Sequence, residues 1–474
     1  MSGAMKHLVA KFRRSSRLIR GGLAKSETQK PQSKPPVIVP GTISQNTPDQ
    51  HDNLAHQHGL DRLQSLPPEV RHHLLSLLGL SRLKAIVHDS PIFHQHYLYD
   101  RNYILCSSLE HTLRGAAVDA LAATMLSKPT SSLDETLVLV KELHSSDPRL
   151  VGKLTEEEAV AMAVLYSTAQ SVTEHFASWV LDDLARLTGS QQEMILSSTE
   201  NLRFMRTSYR FQILCRLADL RDRSRRTAAK DEAILPFLGL LEPWEIEELF
   251  SFYQFVQSVY SKILDDIRLD VHPDNPRFDD QDRLPTPEGA FEIDNYGRSL
   301  LNTDLNINLS RLKQLTLEQV DRKTLLEGTA LRGFALLNTV LFRVQDHEDL
   351  ISTMQQHMAR SYIGLDALTG ILGEAQQTLR RQTHPSERDK LQDERAPCSF
   401  SGDIDERMKP PAAWAVIWGD TYSNLVGWYI PDKIRRWGYV FWDAPRIESI
   451  GGRELLKQQF EEAGDDVDPR DNLM

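Results

Sequence analysis

A mostly α-helical protein is predicted by three features of this 474-residue sequence. From Leu113 to about Glu374, apolar residues recur three and four positions apart, the spacing of one helix face. Thr155-x-x-Glu158 and Ser197-x-x-Glu200 have the spacing of capping boxes just ahead of such runs. No repeat of fixed period is present, so the helices predict an irregular bundle and not a solenoid. In chain order the sequence divides into a basic leader (1–60), a three-helix unit (61–112), an irregular helical body (113–381), a flexible, charged and proline-bearing linker (382–412) and a Trp-rich C-terminal segment with an acidic tail (413–474).

The leader carries nine Lys or Arg against Glu27, Asp49 and Asp52, a balance of +6. Since the whole chain carries −11, the remainder carries −17. A net acidic body repels phosphate backbones, which argues against nucleic acid as the main partner. The polar, Pro- and Gln-containing continuation through residue 58 predicts a disordered tail. Arg and Ser recurring with no acid before Glu27 also fit a mitochondrial presequence, and the cations fit a nuclear or membrane-surface patch. No apolar run approaches the length of a membrane span, and the N-terminus lacks the apolar segment of a secretory signal. Cys106, Cys215 and Cys398 are far apart and form no Cys-x-x-Cys pair, which points to a reducing compartment, cytoplasmic or nuclear.

The segment Leu63–Tyr97 reads as three short helices. Pro67 and Pro68 suit a first helical turn, where a missing N–H costs nothing, and Glu69 places negative charge at the positive end of the dipole. Val70, Leu74, Leu75, Leu77 and Leu78 follow helical spacing, with Gly79 as the expected stop. Ser81 is the expected cap of a second helix carrying Leu83, Ile86 and Val87. Ser90-Pro91 opens a third, running through Phe93, Tyr97, Ile104 and Leu105. The four leucines of the first helix cover an arc of about 160°, wider than the roughly 100° stripe of an ordinary surface helix. The excess must face either a partner or the rest of the chain.

With Leu63, Leu66, Pro67, Glu69, Leu75, Leu78, Leu83, Val87, Ser90 and Phe93 at their places, this segment resembles an F-box. That module docks a protein onto the Skp-type adaptor of cullin–RING ubiquitin ligases. The resemblance implies adaptor contacts by Leu63, Leu66, Pro67, Glu69, Leu75 and Leu78. It spans roughly 40 residues and departs from the family at His72 and His73, in the middle of the first helix, and at Phe93, where a Trp is frequent. Together with its Trp-rich ending, the chain also resembles a large helical group of fungal proteins.

In the body, the runs Val160–Leu187 and Leu202–Leu217 predict long helices. Glu242-Pro243 opens another, carrying Trp244, Ile246, Leu249, Phe252, Phe255, Val256, Val259 and Ile263, and a further helix spans roughly Leu325 to Val344. Asp265, Asp266 and Asp270 near a helix end suggest magnesium held for diphosphate chemistry in an all-α cavity, since carboxylates suit that hard cation. The competing reading is a solvated acidic helix end. It is favoured because Asn302-Thr303-Asp304-Leu305 has no Glu at the spacing of a second metal motif. The stretch also lacks the Gly and Glu of an EF-hand loop. The pairs His56/His58 and His94/His96 have no evident third ligand, so no metal or cofactor site is predicted. Glycine-rich phosphate loops, Gly-x-Ser-x-Gly and His-Glu-x-x-His are absent from the sequence, which gives no basis for predicting an enzyme.

Five of the seven tryptophans fall between Trp414 and Trp442. Pro431-Asp432 suits a helix start, while Gly438–Trp442 fits a short strand as well as a helix. Such a cluster is either buried or binds something. As a client pocket it would use Trp428, Tyr429, Trp437 and Trp442 as aromatic walls, with Arg435 and Arg436 pairing an acidic or phosphorylated peptide. As packing it would close the core of the body. The leading expectation is a non-catalytic substrate-recognition subunit that joins an Skp-type adaptor to a protein client. The alternative is an interaction or structural protein whose F-box-like hairpin belongs to its own core and binds no adaptor.

Overall fold

The computed structural model describes residues 62–127, 138, 140–142, 150–189, 195–224, 234–267, 322–358, 383–403, 409–462 and 467–473. The leader, His56, His58 and Asp270 lie outside the described residues. Helices account for 76% of what is described, with no strand, so the fold is mostly α. The chain divides into two compact units, residues 1–108 and 109–474.

The first unit holds α1 (Pro68–Leu77), α2 (Leu80–Asp89), α3 (Pro91–Tyr99) and the beginning of α4 (Arg101–Leu113). Proline occupies the first position of α1 and of α3, where its fixed φ is already helical. Ser90 caps α3, its Oγ accepting from the Phe93 N–H at 3.3 Å. Two expectations need correction. Gly79, not Ser81, is the N-cap of α2, because the turn after α1 takes only two residues and leaves Ser81 inside the helix. The third helix does not continue to Leu105, because Asp100 leaves helical geometry (φ −139°, ψ 53°) and separates α3 from α4. Leu75, Leu83, Phe93 and Ile104 form the core of this unit, with Leu74, Leu78, Ile86, Val87 and Tyr97 packed against them.

The second unit continues with α5 (Ala117–Met125), α6 (Glu156–Thr188), α7 (Ser198–Ser224), α8 (Leu235–Leu238), α9 (Pro243–Ile267), α10 (Arg322–Ala330), α11 (Phe334–Asn338) and α12 (His347–His357). Helix α7 packs on α5, α6 and α9. Both capping boxes form: Thr155 with Glu158 opens α6, and Ser197 exchanges hydrogen bonds with Glu200 at the start of α7. Around Phe176 of α6 sit Phe204, Phe252 and Phe441 with ring centroids 4.9–5.4 Å away, in the edge-to-face arrangement aromatic rings prefer. The expected single helix over Leu325–Val344 is broken. Gly333, at φ +70°, separates α10 from α11, and a Cβ there would lie 2.6 Å from Gln212 Oε1. That oxygen accepts the Phe334 N–H at 2.8 Å, so α11 begins on a side chain of α7. A π-helical turn, Thr339–Arg343, then follows α11.

The described part of the expected linker is ordered structure and not a flexible connection. Helix α13 (Glu387–Asp393) has a capping box, Ser386 with Asp389, and Arg388 pairs with Glu242 at 3.0 Å. Pro397 and Thr421 form an isolated antiparallel bridge. The Trp-rich segment comprises α14 (Ala412–Ile417), α15 (Asp432–Arg436), α16 (Ala444–Ser449) and α17 (Gly452–Glu461), joined by 3-10 turns at Gly427–Tyr429 and Tyr439–Phe441. The last of these replaces the short strand considered at Gly438–Trp442. The acidic tail is held down where it is described: Arg470 is buried, pairs with Asp468 at 2.6 Å, and lies 5.2 Å over the Trp418 ring.

His175 sits between the Phe255 and Phe342 rings, 5.7 and 5.9 Å from its own. Burial, with the Lys262 charge second, pushes its pKa down from 6.5 to about 4. The unfolded chain therefore takes up a proton near pH 6.5 that the folded chain refuses until about pH 4. Stability falls as pH drops through that window. The expected observation is a smaller loss of Tm between pH 6.5 and pH 4 for His175→Phe than for the wild type, read by thermal melts. Equal slopes would show that His175 contributes nothing to acid sensitivity.

Candidate functional site

The first unit has two contrasting sides. Side chains of α1 repeat at about 100° per residue, so Val70 and Leu77 lie about 20° apart, whereas Leu75 is about 160° from Leu77. Leu75 is fully buried with Leu83, Phe93 and Ile104. Val70 and Leu77 are 46% and 52% exposed, and exposed His73 lies between them. The turn before α1 adds Leu63 at 37%, exposed Pro67 and Glu69, and half-buried Leu66. Side-chain bonds fix this turn: Arg71 Nη1 donates to the Gln64 carbonyl at 3.2 Å, and Gln64 Nε2 donates to Ser90 Oγ at 2.9 Å. On the flank, His72 Nε2 lies 3.1 Å from Asp100 Oδ2, and its ring stacks on Tyr103 at 5.5 Å. Burial, then the Arg71 and His72 charges, holds His96 below the usual histidine range.

Of the residues the F-box resemblance implied, Leu63, Leu66, Pro67 and Glu69 are therefore brought together at the entry to α1. Leu78 is half-buried against the unit's own core. Leu75 is corrected: its side chain fills that core and has no surface to offer a partner. Val70 and Leu77 belong to the face but were not assigned from sequence. The signal was their seven-residue separation, which puts them on one side of the helix, opposite Leu75.

The Trp-rich segment does not form the pocket considered above. Trp437 and Trp442 are fully buried, with Trp437 Nε1 donating to Gln459 Oε1 at 3.0 Å and Trp442 Nε1 to the Trp437 carbonyl at 2.7 Å. Tyr429 is buried and stacked under Trp428 at 4.0 Å. Arg435 is buried too, and Glu247 of α9 grips it at 2.7 and 3.0 Å. Burial works against its charge, yet the Glu247 carboxylate holds it charged. Four of the six expected client-binding residues thus serve packing: Tyr429, Arg435, Trp437 and Trp442 are buried, and the last three direct their polar atoms to partners inside the unit. Trp428, 53% exposed, and Arg436 remain at the surface.

The sequence reading missed a set of buried charges. Glu245, Glu247 and Glu248 of α9 are all buried, as are Arg203 and Arg210 of α7 and Asp119 of α5. Arg210 lies 2.9 Å from Glu245 and 3.3 Å from Asp119, while Arg206 pairs with Glu248 at 3.0 Å. At Glu245 burial raises the pKa, but Arg210 and Arg206 outweigh it and hold the carboxyl low. At Glu248 burial wins and the pKa is raised. Arg203 bonds Asp443 at 2.8 Å and the Phe441 carbonyl at 3.0 Å, and Arg446 bonds Glu200 at 2.7 Å. The spacing Arg203, Arg206, Arg210 among aromatic neighbours was the readable hint, since three and four residues keep these cations on one helix face.

Asp265 and Asp266 are exposed on the last turn of α9, and no cluster of three metal-ligating side chains occurs among the described residues. No helix among the described residues is long and apolar enough to cross a membrane. No protein-family model, curated protein or solved structure matches this chain.

The Arg435–Glu247 pair yields a stability prediction. Arg435→Ala leaves the Glu247 carboxylate buried and unpaired, an expected cost of about 3–5 kcal/mol. The double variant Arg435→Met/Glu247→Gln removes both charges and is expected to cost less than the single change. Urea unfolding followed by tryptophan fluorescence measures both, and a single variant as stable as the wild type would overturn the assignment.

Proposed function

We propose that this chain is a non-catalytic subunit of a cullin–RING ubiquitin ligase, docking an Skp-type adaptor through its first helical unit and a protein client through its helical body. One observation carries the reading. The unit closes its core with Leu75, Leu83, Phe93 and Ile104 and still leaves Leu63, Pro67, Val70 and Leu77 exposed to solvent. Apolar residues that a small unit does not need for its own core, gathered on one side of a helix, are what an interface requires. The exposed residues include Pro67 of the Leu-Pro turn by which the sequence resembles an F-box. The glutamate at the start of α1 sits beside them, where a rim charge influences orientation more than affinity. Ubiquitin transfer would belong to other subunits of such an assembly.

The test is co-purification of the full chain with an Skp-type adaptor. Leu66→Asp/Pro67→Ala and, separately, Leu77→Asp place a charge where the face would be buried, and each is expected to weaken binding by about 100-fold or more. Because Leu77 is outside the core, the Leu77→Asp chain should keep the wild-type melting temperature. A folded wild type that does not bind the adaptor would overturn this function.

A further inference from the structure

We infer that Ser65 is a phosphorylation site whose modification switches the docking face off. The inference rests on the adaptor-docking reading and names a regulator for that face. Ser65 is exposed in the turn between Leu63 and Pro67, and its hydroxyl donates only locally, to the Arg62 carbonyl at 2.7 Å. Arg62, also exposed, stands three residues before it, where basophilic protein kinases seat a cation. The turn lies outside α1 and is held by few bonds, chiefly Arg71 to the Gln64 carbonyl and Gln64 to Ser90. A kinase can therefore draw it out without unwinding a helix.

The surroundings also fit the product. Arg71 already reaches back over the turn, and its Nε is buried without a hydrogen-bond partner. The N-cap of α1 is Pro67, which offers no side chain to the first-turn N–H groups. A phosphate on Ser65 would stand next to the Gln64 carbonyl that Arg71 bonds and two residues before the uncapped start of α1. The arginine and the helix start favour an anion, while Glu69 of the first turn opposes it. In the transfer, Ser65 Oγ bonds to the γ-phosphorus of a nucleoside triphosphate held by the kinase. The bond to the β–γ bridging oxygen breaks, the diphosphate leaves, and the hydroxyl proton passes to the kinase's base. The result is a charge of roughly −1.5 to −2 beside Leu66 and Pro67. A partner that covers those apolar side chains would have to strip water from it.

The experiment treats the full chain with a purified basophilic kinase and magnesium ATP, maps the phosphate by peptide mass spectrometry, and measures adaptor affinity before and after. The expected result is phosphate on Ser65 and binding weakened by about 100-fold. Arg62→Ala should slow the modification while the unmodified variant binds as the wild type does. Ser65→Ala should take up no phosphate at this position, and its binding should not respond to the kinase. Absence of phosphate from Ser65, or a modified chain that binds as tightly as before, overturns the switch. If the unmodified wild type does not bind, the docking reading itself falls and the switch falls with it.

Discussion

Three carboxylates on the opening turns of α9, Glu245, Glu247 and Glu248, sit where a globular protein ordinarily places leucine. Glu245 and Glu248, three positions apart, face the arginines of α7, while Glu247 points toward the Trp-rich segment. Glu245 is neutralised by Arg210 and Arg206, Glu248 by Arg206, and Glu247 by Arg435 of the Trp-rich segment. An apolar interface would accept many small slips of one helix on another. A bidentate carboxylate–guanidinium pair does not, because both hydrogen bonds fail together when the axis shifts. The energetic gain of such pairs over an apolar core is small or negative, so their physical effect lies in selecting one packing. The Trp-rich segment is placed on the body by this selection as much as by its aromatic area, with Arg203–Asp443 and Arg446–Glu200 as further stitches.

The first unit follows the opposite logic. Its core is aliphatic and aromatic, closed by four fully or nearly fully buried residues and a partly buried shell. So small a unit has little interior, and part of its apolar surface stays outside. Leucine placed at both 75 and 77 cannot face inward twice, since these positions are about 160° apart around the helix. One leucine builds the core and the other is left for solvent or for a partner. A shortage of interior, not any single motif residue, leaves Val70 and Leu77 of α1 exposed.

Much of the fold was legible because helix punctuation is local chemistry. The capping boxes at Thr155 and Ser197, the Ser90-Pro91 start and Glu242-Pro243 all operate through atoms within a few residues of one another, and each formed as expected. What escaped the sequence depends on distant partners. Gly333 interrupts its helix because Gln212, far away in sequence, occupies the space a side chain would need. The segment after Thr383 lacks apolar periodicity and so resembled a linker, yet Arg388 and Tyr422 fasten it by bonds to Glu242 and Ala396. The Trp-rich pocket failed for the same reason. Arg435 and Arg436 are adjacent and alike in sequence, and only the position of Glu247 decides which is interior.

These contrasts bear on where recognition surfaces can lie. A body whose charges are already paired inside has little freedom to rearrange for a ligand, because parting Arg435 from Glu247 strands a buried carboxylate. On the proposed function, a client would meet the body's outer side chains as they stand, such as Trp428 and Arg436, rather than an opened interior. The first unit needs no rearrangement at all, since Val70 and Leu77 are already outside a closed core. Binding by preformed surfaces avoids the ordering cost that a folding-on-binding segment carries. If the first unit docks a partner as proposed, a charge added next to the Leu-Pro turn would alter the exposed face and leave Leu75, Leu83, Phe93 and Ile104 behind it in place.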